Sequence, residues 1–530
     1  MHFSRLLRYV FWLIIVLATL KGAYHLFAQA WYLFNGAHAG DANYYWTVGR
    51  GVLNDLKLYT DIFEGRPPII FLLSSISIWL TGNAALGYWI NSFIVLLTPA
   101  MFGVALFYMC RDLLRHDKYL YIILGLLFGV TLALFSAFQA EGWQSEFFGS
   151  FFGIFYVTMI IILPNRNRIY DTLILALCMF FSIGFKEPYV LVLLAAALVL
   201  ARDFRHFKRI FLIPVVIVGI TGLIALFVMG YADGYLSTYL HSLFGQKIMS
   251  TVPLWRRGLM FTILLFSQVQ FSYLFSALIT LLLALVCIRQ RPTLIKNSYA
   301  KYLILPIALY LSLTAANMRG YYTSNHFVAM TPFYAAIFIV FIKSTIHRFN
   351  TNLTISGIVV TLLISFTLIM LPLSDGFPAY AKKLDAMKES EANIIQIAES
   401  IDNILDACDI DRYFFTGNKD YMPYTKHSPL NFYVYTGPAG IISHHPLLVN
   451  KQLEAFSRSK IVIVPGNSYQ VNQRPEVKAL SQLIKRYLDE HFTSKPAECA
   501  ASLPSPEGYS MLFRKDPEKI VPFPFKVVPQ

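Results

Sequence analysis

The chain has 530 residues, of which 56% are apolar, 16% aromatic and 14% charged, against roughly a quarter charged in soluble domains. That balance excludes an ordinary soluble enzyme. Residues 1–373 carry 26 Lys+Arg and 12 Asp+Glu, and residues 374–530 carry 18 of each, so the net +14 belongs to the hydrophobic part and gives no reason to invoke nucleic acid.

That part reads as a polytopic, mainly α-helical membrane domain over 1–373, with about eleven apolar runs suited to bilayer crossing. The runs centre on 9–30, 88–110, 120–138, 147–163, 172–185, 189–201, 210–229, 259–288, 302–316, 327–342 and 353–373. The apolar segment Ile69–Leu80 follows Pro67-Pro68 and is short for a span, so it reads as an interfacial or re-entrant helix. Arg5 and Arg8, the stretch Tyr9–Leu20 and Ala28-Gln29-Ala30 also have the layout of a signal peptide. Apolar residues continue to Phe34, which favours a first span instead.

Charge orients the spans, because Lys and Arg accumulate in cytoplasmic loops. With the amino terminus inside, the inner segments hold 17 basic and 4 acidic residues, and the outer ones 8 of each. An odd number of spans then places the region after Leu373 outside the cytoplasm, and the bacterial inner membrane is the expected location.

The outer connection 31–87 is the longest in this part, and function concentrates in such loops. Asp41 lies just past the first span, beside Tyr44, Tyr45 and Trp46. A carboxylate there can take a proton from an acceptor hydroxyl while the rings offer stacking surface to a sugar; it can equally cap a helix starting at Ala42. Asp61, Glu64 and Arg66 precede the proline pair. Arg66 suits a lipid phosphate, which guanidinium grips bidentately, or an ion pair with Asp61 or Glu64.

Further along, Glu146 opens an apolar run, Lys186-Glu187-Pro188 makes a charged turn whose two side chains can pair with each other, and Arg319-Gly320-Tyr321-Tyr322 precedes His326 and Pro332. Trp255, Arg256 and Arg257 read as a headgroup-binding edge. His38, His241 and His326 have no partner at metal-ligand spacing.

After Leu373 the apolar runs stop, and 374–530 reads as a small α/β domain: a helix to about Ala407, strands at Tyr413–Phe415, Phe432–Tyr435, Lys460–Val464 and Tyr509–Phe513, and a helix over Pro475–Phe492. It contains no nucleotide-binding or metalloprotease motif. Cys110, Cys178 and Cys287 read as small buried hydrophobes, whereas Cys408 and Cys499 could pair in an oxidising compartment. The sequon Asn352-Leu353-Thr354 falls on the cytoplasmic side.

The pattern Asp41-x-x-Tyr44-Tyr45, then Leu58-Tyr59-x-Asp61-x-x-x-x-Arg66-Pro67-Pro68, resembles the first outer loop of the C-type multispanning glycosyltransferases, in the branch of the protein O-mannosyltransferases and aminoarabinose lipid A transferases. Gln144-Ser145-Glu146-Phe147, Gly184-Phe185-Lys186-Glu187-Pro188 and the Arg319 to Pro332 segment resemble later motifs of that family, in the same order. The resemblance implies a membrane glycosyltransferase moving a sugar from a polyprenyl-phosphate carrier to a hydroxyl of a lipid, glycan or protein at the outer face. It implies Asp41 as general base or acceptor-orienting carboxylate and Glu146 as a second carboxylate. Arg66, Lys186 and Arg319 would neutralise the departing phosphate, one such preorganised donor being worth about 3–4 kcal/mol. Tyr44, Tyr45, Asp61, Glu64 and His326 complete the implied substrate-binding set. Ala42 stands where many members have a second acid, so a divalent metal is an open matter and no cofactor is implied with certainty. Alternatives are a polytopic lipid or solute transporter, disfavoured by the lack of an internal repeat, and a lipid-linked oligosaccharide ligase or polymerase.

Overall fold

The computed structural model describes residues 5–36, 42–110, 118–139, 143–163, 169–243, 253, 255–256, 300–316, 324–348, 355–417, 420–435, 437–494 and 498–524. The expected run 259–288, the sequon, His38, Arg257 and Cys287 lie outside them.

Eight helices open the described chain: α1 (Arg5–Phe34), α2 (Ala42–Leu53), α3 (Ile69–Thr81), α4 (Ala85–Cys110), α5 (Lys118–Gln139), α6 (Ser145–Ile162), α7 (Ile169–Phe185) and α8 (Tyr189–Leu200). Among the described residues four helices are long and apolar enough to cross a membrane: Tyr9–Phe34, Ala85–Tyr108, Ser145–Ile162 and Phe204–Val228. Thr361–Ile369 and Leu373–Ala407, bent by 77°, make a fifth if they are one broken span. Apolar helices of 10–17 residues occupy other expected runs, among them Ile169–Phe185, Tyr189–Leu200 and Pro306–Ala316. A 12-residue helix such as α8 rises only about 18 Å, short of the roughly 30 Å hydrocarbon core. The spans also expose apolar rows: Leu13, Leu17 and Leu20 on α1, and Val216, Ile220, Leu223 and Phe227 on Phe204–Val228. Water penalises such surface and lipid does not.

The chain divides into two compact units. The first comprises Met1–Ala39, Tyr88–Gly222 and Thr251–Leu384. In it α1 packs against α5 and Ile355–Ile369, and α6 packs against α7, α8 and Thr331–Arg348. Two glycines on α6 allow that close approach. A methyl at Gly149 would meet the Tyr189 ring at 2.6 Å, and one at Gly153 would meet Pro332 Cγ at 2.5 Å. Polar side chains tie the same helices: Ser182 donates to the Gly149 carbonyl at 2.8 Å and Tyr156 to the Ile210 carbonyl at 2.6 Å, while Ser150 bonds Thr331. A hydroxyl buried between apolar helices needs a partner within the protein.

The second unit comprises Gly40–Gly87, Leu223–Ser250 and Asp385–Gln530. The segment Gly40–Gly87 and the carboxyl-terminal region therefore share one body. Its sheet has the order β2-β1-β3-β5-β4, built from β1 (Arg412–Phe415), β2 (Ser428–Pro429), β3 (Ile461–Pro465), β4 (Phe492–Thr493) and β5 (Tyr509–Arg514). β1 is parallel to β2 and β3, and β5 is antiparallel to β3 and β4. Ile461 to Val464 are all buried, as a central strand covered on both faces requires. Ile401, Ile404 and Leu405 of the helix Phe377–Ala407 pack against Tyr413, Phe415, Ile461 and Ile463. Phe414 meets Phe456, which meets Tyr487 of the helix Pro475–His491. That helix buries Val477, Leu480, Ile484 and Leu488, the spacing of one helical face.

The expected strand Phe432–Tyr435 is not one. It forms a single bridge, Phe63 with Tyr433, followed by a turn. Side-chain amides supply the missing pairing. Asn431 bonds the backbone N–H and carbonyl of Phe415 at 2.9 and 3.1 Å, and Gln452 does the same for Tyr433 at 2.8 and 3.3 Å. Alternation of apolar residues cannot distinguish a ladder bond from an amide imitating one.

Candidate functional site

In the first unit the implied residues meet at the start of α6. Glu146 lies in its first turn, where the positive end of the helix dipole favours a carboxylate, and is 3% exposed. Its Oε2 accepts from the Ser145 hydroxyl at 2.8 Å, and its backbone carbonyl accepts from the Tyr189 hydroxyl at 2.6 Å. Lys186, in the turn between α7 and α8, donates to Glu146 Oε1 in an ion pair. His326 Nε2 stands 4.0 Å from that same oxygen, carried by the 3-10 segment Ser324–Met330. A carboxylate, an ammonium and an imidazole thus converge from three chain segments. Lys186 pairs with Glu146 across the fold, and the pair replaces hydration that the buried carboxylate has lost.

In the second unit a separate polar cluster surrounds Arg66. Glu64 is fully buried, and its Oε1 accepts from Arg66 Nη1 at 2.6 Å and from the Gly65 N–H at 2.9 Å. The Arg66 guanidinium lies over the Tyr45 ring, 5.2 Å from its centroid, and the Arg66 carbonyl accepts from the Tyr59 hydroxyl at 2.8 Å. Of the two expected partners, Glu64 takes the guanidinium. The pair is buried, so the small value of an exposed ion pair does not apply. Tyr59 holds φ 65°, a left-handed conformation uncommon for a bulky residue. Its ring is fixed by Phe63, Tyr235 and Tyr239.

Asp61 is exposed and accepts from the Lys57 N–H at 3.0 Å, closing a turn. Tyr45 is buried and Tyr44 meets Tyr435 edge-on at 4.8 Å. Helix α2 begins at Ala42; Asp41 and Arg319 lie outside the described residues. Among the described residues no group of three or more His, Cys, Asp or Glu side chains is placed to hold a metal ion.

Sequence reasoning named Ser145 only within a motif and missed Tyr189 and Ser182, which tie the start of α6. Their one signal was being polar inside apolar runs, where a hydroxyl needs a partner. It also missed a cavity of about 170 Å³ in the second unit, lined by Asp61, Arg412, Phe432, Lys451, Glu454 and Arg458 among others. Cys408 and Cys499 form a disulfide with Cα atoms 5.2 Å apart, and Cys178 is a free buried thiol.

No family model, no curated protein and no solved structure matches the chain significantly.

Proposed function

We propose that the chain is a multispanning glycosyltransferase of about eleven spans, taking a sugar from a polyprenyl-phosphate carrier to a hydroxyl acceptor at the outer face of a bacterial inner membrane. The observation that carries this reading is the meeting of Glu146, Lys186 and His326. It is the acid-and-cation set that activation of a hydroxyl and release of a phosphate both need.

In the reaction an acceptor oxygen attacks the anomeric carbon, the carbon–oxygen bond to phosphate breaks, and its electron pair leaves as polyprenyl phosphate. The acceptor proton passes to a carboxylate, Asp41 in this assignment. Lys186 donates to Glu146, and its ammonium is the charge that meets phosphate oxygens in this assignment. Glu146 holds that ammonium in place before substrate arrives, so no reorganisation is needed as charge develops. His326 is placed to orient the same carboxylate.

The location rests on two supports. Basic residues are concentrated in the inner loops, and the Cys408–Cys499 disulfide belongs in an oxidising compartment.

The test is turnover by the full-length protein in lipid, with a panel of polyprenyl-phosphate sugars and hydroxyl acceptors. Acceptor-dependent release of polyprenyl phosphate is expected, falling by about 100-fold or more in Asp41→Asn and in Lys186→Met. If no donor is consumed and the protein carries lipid or solute across the bilayer, the transferase reading fails and the transporter takes its place.

A further inference from the structure

The 170 Å³ cavity of the second unit lies within one body and uses none of the residues placed at Glu146 or Arg66. Its wall carries three cations, Arg412, Lys451 and Arg458, and two acids, Asp61 and Glu454, a formal balance of +1. Glu454 acts electrostatically on Lys451. Among the described residues neither Arg412 nor Arg458 has a carboxylate in ion-pair contact, and the Asp61 carboxylate is engaged by the Lys57 N–H. Lys451 is held in place: its Nζ donates to Thr238 Oγ1 at 2.7 Å and lies 5.0 Å from the centre of the Phe432 ring.

The cations come from separate elements. Arg412 opens β1, Lys451 stands on the helix Val449–Ser457, and Arg458 caps that helix. Two guanidiniums without carboxylate partners and an anchored ammonium on one cavity wall suit a tetrahedral oxyanion, because guanidinium offers two parallel donors to phosphate oxygens. Glu454, on the same wall, is an acceptor-only group suited to the hydroxyls of a sugar. Leu56, Pro429 and Phe432 line the cavity as well, giving the apolar surface on which a sugar ring rests.

We propose that this cavity binds a phosphate monoester borne on a hydroxyl-rich group, a sugar phosphate or a phosphorylated headgroup. It is a second ligand site, and it stands whether or not the chain transfers sugar.

The experiment is equilibrium binding to the full-length protein in neutral detergent at low salt, with glucose 1-phosphate, glucose and dihexanoyl phosphatidic acid as probes. Saturable binding of glucose 1-phosphate is expected, at least about tenfold tighter than glucose. Arg412→Ala with Arg458→Ala should weaken it by about tenfold or more, whereas Glu454→Gln should strengthen it severalfold. All three substitutions are at exposed or half-buried positions, and the opposite sign for Glu454→Gln separates ligand binding from damage to the fold. Competition by dihexanoyl phosphatidic acid assigns the ligand to a lipid headgroup; lack of competition assigns it to a soluble sugar phosphate. Absence of saturable binding, or affinity for glucose 1-phosphate unchanged in the double arginine variant, overturns the proposal.

Discussion

Glu146 and Lys186 are 40 positions apart in the chain and form a buried ion pair, one from the first turn of α6 and the other from the turn that joins α7 to α8. Breaking one side strands a charge where water cannot reach it. Lys186→Met is expected to destabilise the protein by about 3 kcal/mol, and the double variant with Glu146→Gln to recover a good part of that loss, since two neutral groups remain. Thermal unfolding in detergent reads the cycle. Additive losses in the double variant would mean that the two side chains are independently solvated.

Arg66 presents the same physics in the second unit with a different geometry. Arg66→Ala leaves the Glu64 carboxylate, fully buried, without its guanidinium, at a cost of about 3–5 kcal/mol. Arg66→Lys retains the charge and loses the planar group over Tyr45, so a smaller loss of about 1 kcal/mol is expected. The order alanine below lysine below wild type in melting temperature is the readout, and equal effects of the two would discount the stacking.

The Cys408–Cys499 disulfide closes a loop of 91 residues. Chain-entropy reasoning gives such a loop about 4–5 kcal/mol. The variant Cys408→Ala/Cys499→Ala should therefore unfold its carboxyl-terminal region at much lower denaturant. In membranes isolated from cells, maleimide labelling of the two thiols should require prior reduction. Labelling without a reductant would place the region in a reducing compartment and count against the outer location.

Lys451 supplies a pH dependence. Lys451 is exposed on its surface side, but partial desolvation lowers its pKa below the ordinary 10.5, so the folded state binds that proton less tightly than the unfolded state does. The sign follows: the charged ammonium is penalised in the fold at neutral pH, and the penalty lifts as pH rises through the folded value towards 10.5. Wild type should gain stability relative to Lys451→Met over that alkaline window and hold a constant difference below it. Melting curves across pH 7 to 10.5 decide it, and a difference flat over the whole range would show that the ammonium is fully hydrated.

Much of the secondary structure was legible in the chain because its signals are local. Long apolar runs, a proline pair before Ile69 and the periodic Val477, Leu480, Ile484 face each name an element without reference to anything distant. Phe432–Tyr435 was misread because its partners are the amides of Asn431 and Gln452, and a side chain standing in for a strand leaves no period-two mark. The candidate site was legible as residue types and not as contacts. Glu146 and Lys186 are each an ion in an apolar setting, which announces that a partner exists and not which one across the fold.

The sequence by itself determined where the hydrophobic mass and the excess positive charge lie, that the long apolar runs stop after Leu373, and which polar groups sit among apolar neighbours. Those properties are sums over neighbours along the chain. Tertiary structure alone decided that Gly40–Gly87 shares a body with the carboxyl-terminal sheet, that Lys186 turns to Glu146, that Arg66 is buried against Glu64 and Tyr45, and that Arg412, Lys451 and Arg458 line one cavity. Each is a choice among partners of nearly equal chemistry, and it is settled by which desolvated charge the packing brings within reach.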